Sequence, residues 1–472
     1  MHDGRAWPLE LGPDDIRALA GAAADALAAF EARRPGLATI DLGGLGPLLE
    51  AARRPPPEAG RPLDELIDLV MAGAGKGFDT AGPGYMAYVP SGGIMSAAVA
   101  DMLALGLNRY TGISAAAPVL CGIEAGVVRW ACDLFGLGPG SAGVLTTGGS
   151  MANLAAVVAA RTRVLGEDLS GARMYVSAQA HHSVAKAARI AGLPRSAVRV
   201  VPVDRDLRMQ PAALRAMLDA DVDEGLRPFM VTATCGTTNT GAIDPLPEVA
   251  DVARAAGLWL HVDAAYGGFF RLTARGRALM DGVERADSIT LDPHKGLFLP
   301  YGTGCVLARD AGALLDAHRM DAAYLQDLDA GAGQPDAADM SPELSREFRG
   351  LRAWLPLHLH GVAAFRDALD ESLDLAAHMH AALAGVPGIE LPWAPVLSAV
   401  AFRVAPGAAP DPDAAGARML ERINGSRRVF LSSTTIDGRY TVRACFLVQR
   451  THRDRVDEAV AIIRDAAAAE LG

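Results

Sequence analysis

Ser288-Ile-Thr-Leu-Asp-Pro-His-Lys-Gly-Leu-Phe-Leu-Pro300 decides how the chain is read. Ser288-Ile-Thr-Leu291 has the β-branched, apolar character of a short buried strand, and Pro293 stops it. Lys295 falls just past the strand end, with apolar runs on both sides. A lysine so placed is not on a solvated face. An amine shielded from water gives up its proton more readily and becomes a nucleophile. The plainer reading is a lysine that snorkels at a strand end.

Similar strands lie on either side. Gly143-Val-Leu-Thr146 leads into a glycine turn and a helix from Met151, and Met174-Tyr-Val-Ser177 into a helix from about His182. Val198-Arg-Val-Val-Pro202, Phe229-Met-Val-Thr-Ala-Thr234 and Leu258-Trp-Leu-His-Val262 follow, and Ser288–Leu291 completes the series. Short strands alternating with Ala-rich helices predict an α/β domain with a largely parallel sheet, whose ligands sit at the carboxyl ends of the strands.

The spacing predicts a helical N-terminal arm over residues 1–90, with helices at 13–34 and 62–72 and a linker at Arg53–Pro57. Such an arm has little core of its own and is expected to pack on a partner subunit. The large α/β domain is placed at 91–355. A small α+β domain at 356–472 has strands near Val400–Val404 and Thr441–Val448 and a helix at 452–469. Leu351 to Ala384 reads as one long helical stretch, and Ala330 to Pro342 as a mobile loop.

The formal net charge of -11 argues against nucleic acid and anionic membrane as partners. Five scattered cysteines with no C-x-x-C pair read as reduced thiols of a cytoplasmic protein, with no disulfide frame and no metal site. No apolar run approaches the roughly 20 residues that span a bilayer, and Met1–Glu10 has no secretory core. Of the 44 Lys and Arg side chains only Lys76, Lys186 and Lys295 are lysines. Guanidinium forms no ordinary imine, so each lysine is informative. Lys76, in a Gly-rich stretch, and Lys186, on a helix, read as solvated.

Three more strand ends carry polar residues. Thr146-Thr-Gly-Gly-Ser-Met-Ala-Asn153 sets a Gly148-Gly149 turn before a helix, where backbone amides and the helix dipole favour a phosphate. His261-Val-Asp-Ala-Ala-Tyr266 ends an apolar strand on Asp263, which suits a carboxylate facing a protonated ring nitrogen. Ser177-Ala-Gln-Ala-His-His-Ser183 presents His181. Taken singly, these also read as a tight turn, a turn-capping Asp and a surface His. Taken together with Lys295, they supply a phosphate cradle, a ring partner, a ring-nitrogen partner and an imine-forming amine.

Gly143-Val-Leu-Thr-Thr-Gly-Gly-Ser-Met-Ala-Asn-Leu154, His261-Val-Asp-Ala-Ala-Tyr-Gly267 and Asp292-Pro-His-Lys295 resemble the group II pyridoxal-phosphate (PLP) amino acid decarboxylases, the family of aromatic L-amino acid and glutamate decarboxylases. The resemblance runs from about Tyr85 to Arg450. It implies the type I aminotransferase-like fold, with a mostly parallel seven-stranded sheet, and a homodimer with active sites at the subunit interface. By the same resemblance Lys295 holds PLP, Asp263 pairs with the pyridine nitrogen, and His181 and Ala265 cover the two ring faces. Gly148, Gly149 and Ser150 hold the phosphate with help from Asp292 and His294. Thr238 lies near the cofactor, and Ser91 and Tyr88 belong to the substrate pocket. The implied reaction is decarboxylation of an L-amino acid, aromatic by preference, to amine and CO2, with His181 guiding a proton.

Two departures keep other outcomes open. No tyrosine stands between Leu325 and Trp354, where aromatic decarboxylases carry one that protonates the carbanion; Gln334–Met340 matches that stretch, and Tyr324 or a partner residue is a substitute. Relatives without the tyrosine let oxygen intercept the carbanion and yield an aldehyde. Gly296 replaces a tryptophan common in relatives. An aminotransferase on the same fold would use an arginine such as Arg443 for the α-carboxylate. A hydrolase built on Ser150, His181 and Asp263 lacks the G-x-S-x-G elbow.

Overall fold

The computed structural model of the chain describes residues 9–319 and 335–471. At its centre is a seven-stranded sheet. Its strands are β1 (Ala142–Thr146), β2 (Ala172–Ser177), β3 (Val198–Val201), β4 (Arg227–Thr234), β5 (Trp259–Asp263), β6 (Ser288–Leu291) and β7 (Gly304–Ala308). They lie in the order β1-β7-β6-β5-β4-β2-β3. β7 runs antiparallel to both its neighbours, and β2 to β6 pair in parallel. Strands covered on both faces lose the in–out alternation. That explains why β5 and β6 are buried at every position.

β7 corrects the expectation that Ser288–Leu291 ends the series. Gly304-Cys-Val-Leu-Ala308 inserts between β6 and β1. A Cβ at Gly304 would lie 2.4 Å from the Gly148 carbonyl carbon, so glycine is what lets the turn after β1 close over β7. The helix Gly149–Leu165 buries Ala152, Ala155, Ala156, Ala159 and Ala160. Small side chains bring its axis close to the sheet and set its N-terminus at the strands' carboxyl edge.

Towards the C-terminus a four-stranded antiparallel sheet has the spatial order Ile389–Glu390, Ala399–Val404, Arg439–Cys445 and Ser432–Ile436. Helices Pro412–Gly425 and Arg453–Leu471 pack on it. The long stretch expected over 351–384 is corrected: the helical segment Arg349–Leu383 breaks at Gly361, whose φ of 75° and ψ of 153° are not helical. In the arm, helices Pro13–Arg33, Leu45–Ala52 and Leu63–Ala74 bury only Phe30. Lys76 is corrected too: its Nζ pairs with Asp41 Oδ2 at 3.0 Å. Lys186 is exposed as expected. Of the loop expected at 330–342, residues 330–334, like Tyr324, lie outside the described residues; Ala337–Asp339 forms a 3-10 turn. All five cysteines are free. Among the described residues no helix is long and apolar enough to cross a membrane.

Candidate active site

β1, β2, β4, β5 and β6 deliver their polar carboxyl ends to one cavity of about 300 Å³. Lys295, Asp292 and His294 enter it from the end of β6, Asp263 and Ala265 from β5, and His181 from the start of the helix His182–Ile190. Gly148, Gly149, Ser150 and Thr238 complete the set. These ten residues were expected to meet, and they do.

Lys295 Nζ lies 2.7 Å from Asp292 Oδ2, with about a quarter of the lysine side chain exposed and the aspartate buried. His294 is oriented by Nδ1, which lies 2.7 Å from the Thr303 carbonyl. Burial lowers its pKa, and Asp292 opposes the shift. Asp263 closes β5, opposite Thr234 and Thr290. Its Oδ1 accepts from the Ala265 amide at 3.1 Å, and its Oδ2 from Asn153 Nδ2 at 3.1 Å. Burial also lowers the His181 pKa, more than the neighbouring Asp263 charge raises it.

Two expected residues stand apart. Ser91 is buried, and its hydroxyl donates to the Leu299 carbonyl at 2.7 Å. Tyr88 is exposed, with a left-handed φ of 55°, and its amide donates to Ser432 Oγ at 3.0 Å. Neither lines the cavity formed by this single chain. Arg443 does not line it either. Its guanidinium donates to Ser432 Oγ at 3.2 Å, to the Asn239 carbonyl at 3.2 Å and to the Thr238 carbonyl. Those bonds engage all three of its nitrogens, so it braces the Thr238 turn in place of the carboxylate-gripping role considered for it.

The sequence reading missed three further residues. Asn153 and Ser183 also line the cavity, and with His261 behind them they are joined to Asp263 and His181 by bonds of 2.7 to 3.1 Å. Asn153 had a visible signal: it stands one helical turn after Ser150, on the buried side of the helix. His261 carried none, because its partners Asn153 and Ser288 are remote in sequence, whereas Ser183 stands only two positions after His181.

The site fits PLP on three observations. Gly149 leaves space that a side chain would fill: a Cβ there would lie 2.9 Å from Asp292 Oδ2 and 3.3 Å from Ala265 Cβ. Gly149 and Ser150 begin a helix, so their amides have no intrahelical acceptor and suit an anion. Asp292 Oδ1 is buried without a hydrogen-bond partner.

An amine, a ring-nitrogen carboxylate and an anion cradle at one sheet edge mark a PLP enzyme. Residues 57–405 match the pyridoxal-dependent decarboxylase conserved domain, and the chain belongs to that family. It is an amino acid decarboxylase dependent on pyridoxal 5'-phosphate. An aromatic-L-amino-acid decarboxylase of Bacillus atrophaeus is 35% identical over 373 residues, 78% of each chain. The structure of Oryza sativa TDC with PLP and tryptamine superposes with a TM-score of 0.93 at 28% identity, covering 99% of this chain and 100% of that one. Catharanthus roseus tryptophan decarboxylase in complex with L-tryptophan gives 0.89 at 25% identity, covering 98% and 100%.

Proposed function

We propose that the chain decarboxylates an aromatic L-amino acid to the amine and CO2, as a cytoplasmic homodimer. The observation that carries this reading is the convergence of Lys295, Asp263, His181 and the helix start at Gly149 on one cavity. Similarity to relatives named for aromatic substrates supports the substrate class. Support for the dimer comes from a run of exposed apolar side chains on the arm and the helix Met95–Leu107, among them Leu63, Val70, Val99, Met102 and Leu107. Five free cysteines support a reducing compartment.

The position of each side chain supports a role for it. Lys295 Nζ would be the amine that holds the cofactor, and Asp292 Oδ2, 2.7 Å away, orients it. Asp263, acceptor-only when ionised, receives the ring N–H and keeps it protonated. PLP, when bound, supplies an electron-poor ring that takes up the electron pair of the breaking Cα–carboxylate bond. His181 and Ala265, which both line the cavity, would cover the two faces of the ring. The amides of Gly149 and Ser150, with the helix dipole and His294, hold the phosphate. Thr238 borders the ring, and Ser91 and Tyr88 belong to the substrate side of the assembled dimer. His181 moves the proton that returns to Cα after CO2 leaves.

Release of CO2 from a panel of L-amino acids, with amine, aldehyde and hydrogen peroxide measured together, tests the proposal. The expected result is amine from tryptophan, tyrosine or phenylalanine, with no peroxide. Peroxide and aldehyde in step with CO2 would replace the reading by oxidative deamination. Turnover of glutamate alone would sink the aromatic assignment.

A further inference from the structure

A chain of hydrogen bonds runs from the core to the cavity wall, and its direction is set where it meets Asp263 and His181. It begins at Trp259, whose indole Nε1–H donates to Ser288 Oγ at 2.8 Å. An indole N–H cannot accept, so the Ser288 hydroxyl keeps its own proton free to donate to His261 Nδ1, 2.8 Å away. His261 then carries its proton on Nε2 and donates it to Asn153 Oδ1 at 3.0 Å. That bond fixes which way the Asn153 amide faces. Its Nδ2 donates to Asp263 Oδ2 at 3.1 Å and to Ser183 Oγ at 2.9 Å. The Ser183 hydroxyl donates in turn to His181 Nδ1 at 2.7 Å.

Two further observations close the assignment. The Ser183 backbone amide, which can only donate, also points at His181 Nδ1, at 3.3 Å. His181 Nδ1 is therefore an acceptor, and the proton of the neutral ring is on Nε2. His261 is fully enclosed, and burial pushes its pKa down to about 4, so it stays neutral and keeps one donor and one acceptor. Reversing the chain would turn Asn153 Oδ1 towards the Asp263 carboxylate, two acceptors about 3 Å apart.

We propose that Asn153 and His261 are positioning residues for the reaction: with Trp259, Ser288 and Ser183 they form a one-way relay that holds a donor against Asp263 and gives His181 the tautomer protonated on Nε2. The relay rests on the reading of Asp263 as the ring-nitrogen partner and His181 as the proton carrier. Asp263 receives two donors, the Ala265 amide and Asn153, and keeps lone pairs free for a third. His181 is delivered with its mobile proton on one defined nitrogen.

The test uses histidine-labelled holoenzyme loaded with PLP carrying 15N in its ring. NMR of the resting enzyme, with His181 and His261 assigned by loss of each signal in His181→Gln and His261→Gln, should show both rings neutral and protonated on Nε2. Either ring protonated on Nδ1, or doubly protonated at neutral pH, overturns the relay. In Asn153→Leu, which keeps the volume but removes both links, the cofactor's ring-nitrogen resonance should move towards its unprotonated position. In the same variant kcat should fall about tenfold at nearly constant KM. An unchanged ring-nitrogen resonance in folded, cofactor-loaded Asn153→Leu also overturns the relay. If Asn153→Leu does not fold, the wild-type tautomers decide alone. A wild-type protein that binds no PLP would instead undo the reading of the site, so the two failures are told apart.

Discussion

Gly149→Ala tests the cofactor cradle from the protein's side. The new methyl would lie 2.9 Å from Asp292 Oδ2, 3.2 Å from Oδ1 and 3.3 Å from Ala265 Cβ. Ordinary contact begins near 3.4 Å, so the carboxylate must retreat by about half an ångström. It cannot move freely, because it is buried and paired with Lys295 Nζ at 2.7 Å. Overpacking of this kind costs about 1–3 kcal/mol. Against it stands the gain of ~0.4–1 kcal/mol that alanine brings over glycine where the backbone is compatible. Crowding outweighs the gain, and the net loss falls at the cradle itself. The crowding is present without cofactor, so the apoprotein should unfold at lower temperature; where the methyl also narrows the cradle by about 1.4 kcal/mol of binding, PLP affinity should drop about tenfold. The assay is a PLP titration followed by visible absorbance, paired with thermal unfolding of the apoprotein. Unchanged affinity together with equal or higher apoprotein stability would refute the reasoning.

Four more outcomes are expected. Lys295→Ala should lose turnover and the visible absorbance of bound PLP together; a variant that keeps both contradicts the assignment of the amine. Asp263→Asn should still bind PLP in a titration while kcat falls by about two orders of magnitude or more, because the ring nitrogen loses its ionised partner. Tyr266→Phe removes a hydroxyl bonded to the Ser398 amide, Ser398 Oγ and Cys445 Sγ; denaturant unfolding should show a loss of about 1–3 kcal/mol for the buried groups left unpaired. Acid stability should report His261. Its folded pKa of about 4 lies below the unfolded value near 6.5, so the unfolded chain binds the extra proton between them. The corresponding stability is complete above pH 6.5 and is lost as pH falls towards 4, by an amount on the order of 3 kcal/mol. Asp244, raised to about 6 by burial, works in the opposite sense. The quantity to measure is therefore the difference between the parent and His261→Gln, and no pH dependence of that difference would count against a neutral buried His261.

Much of this site could be read from residues because chemistry at a parallel sheet collects at strand ends. Asp263, Lys295 and the Gly148-Gly149 turn each follow an apolar run, and that local pattern survives in one dimension. β7 was missed for a physical reason. Its five residues follow a Gly-rich turn within a longer apolar stretch, and nothing in periodicity says that a strand turns back between two older neighbours. The kink at Gly361 was hidden because the flanking sequence is helical on both sides. The relay was out of reach: His261 and Asn153 are 108 positions apart, and a histidine inside an apolar strand looks like core. Ser91 and Tyr88 sit outside the cavity, because Ser91 turns its hydroxyl to the Leu299 carbonyl and Tyr88 is exposed.

Reduction of the PLP-loaded protein with borohydride, followed by peptide mapping, is the most direct measurement of the central claim. The cofactor should become fixed, one per chain, on the peptide that contains Asp292-Pro-His-Lys295. Fixation at Lys76, at Lys186 or nowhere would contradict it.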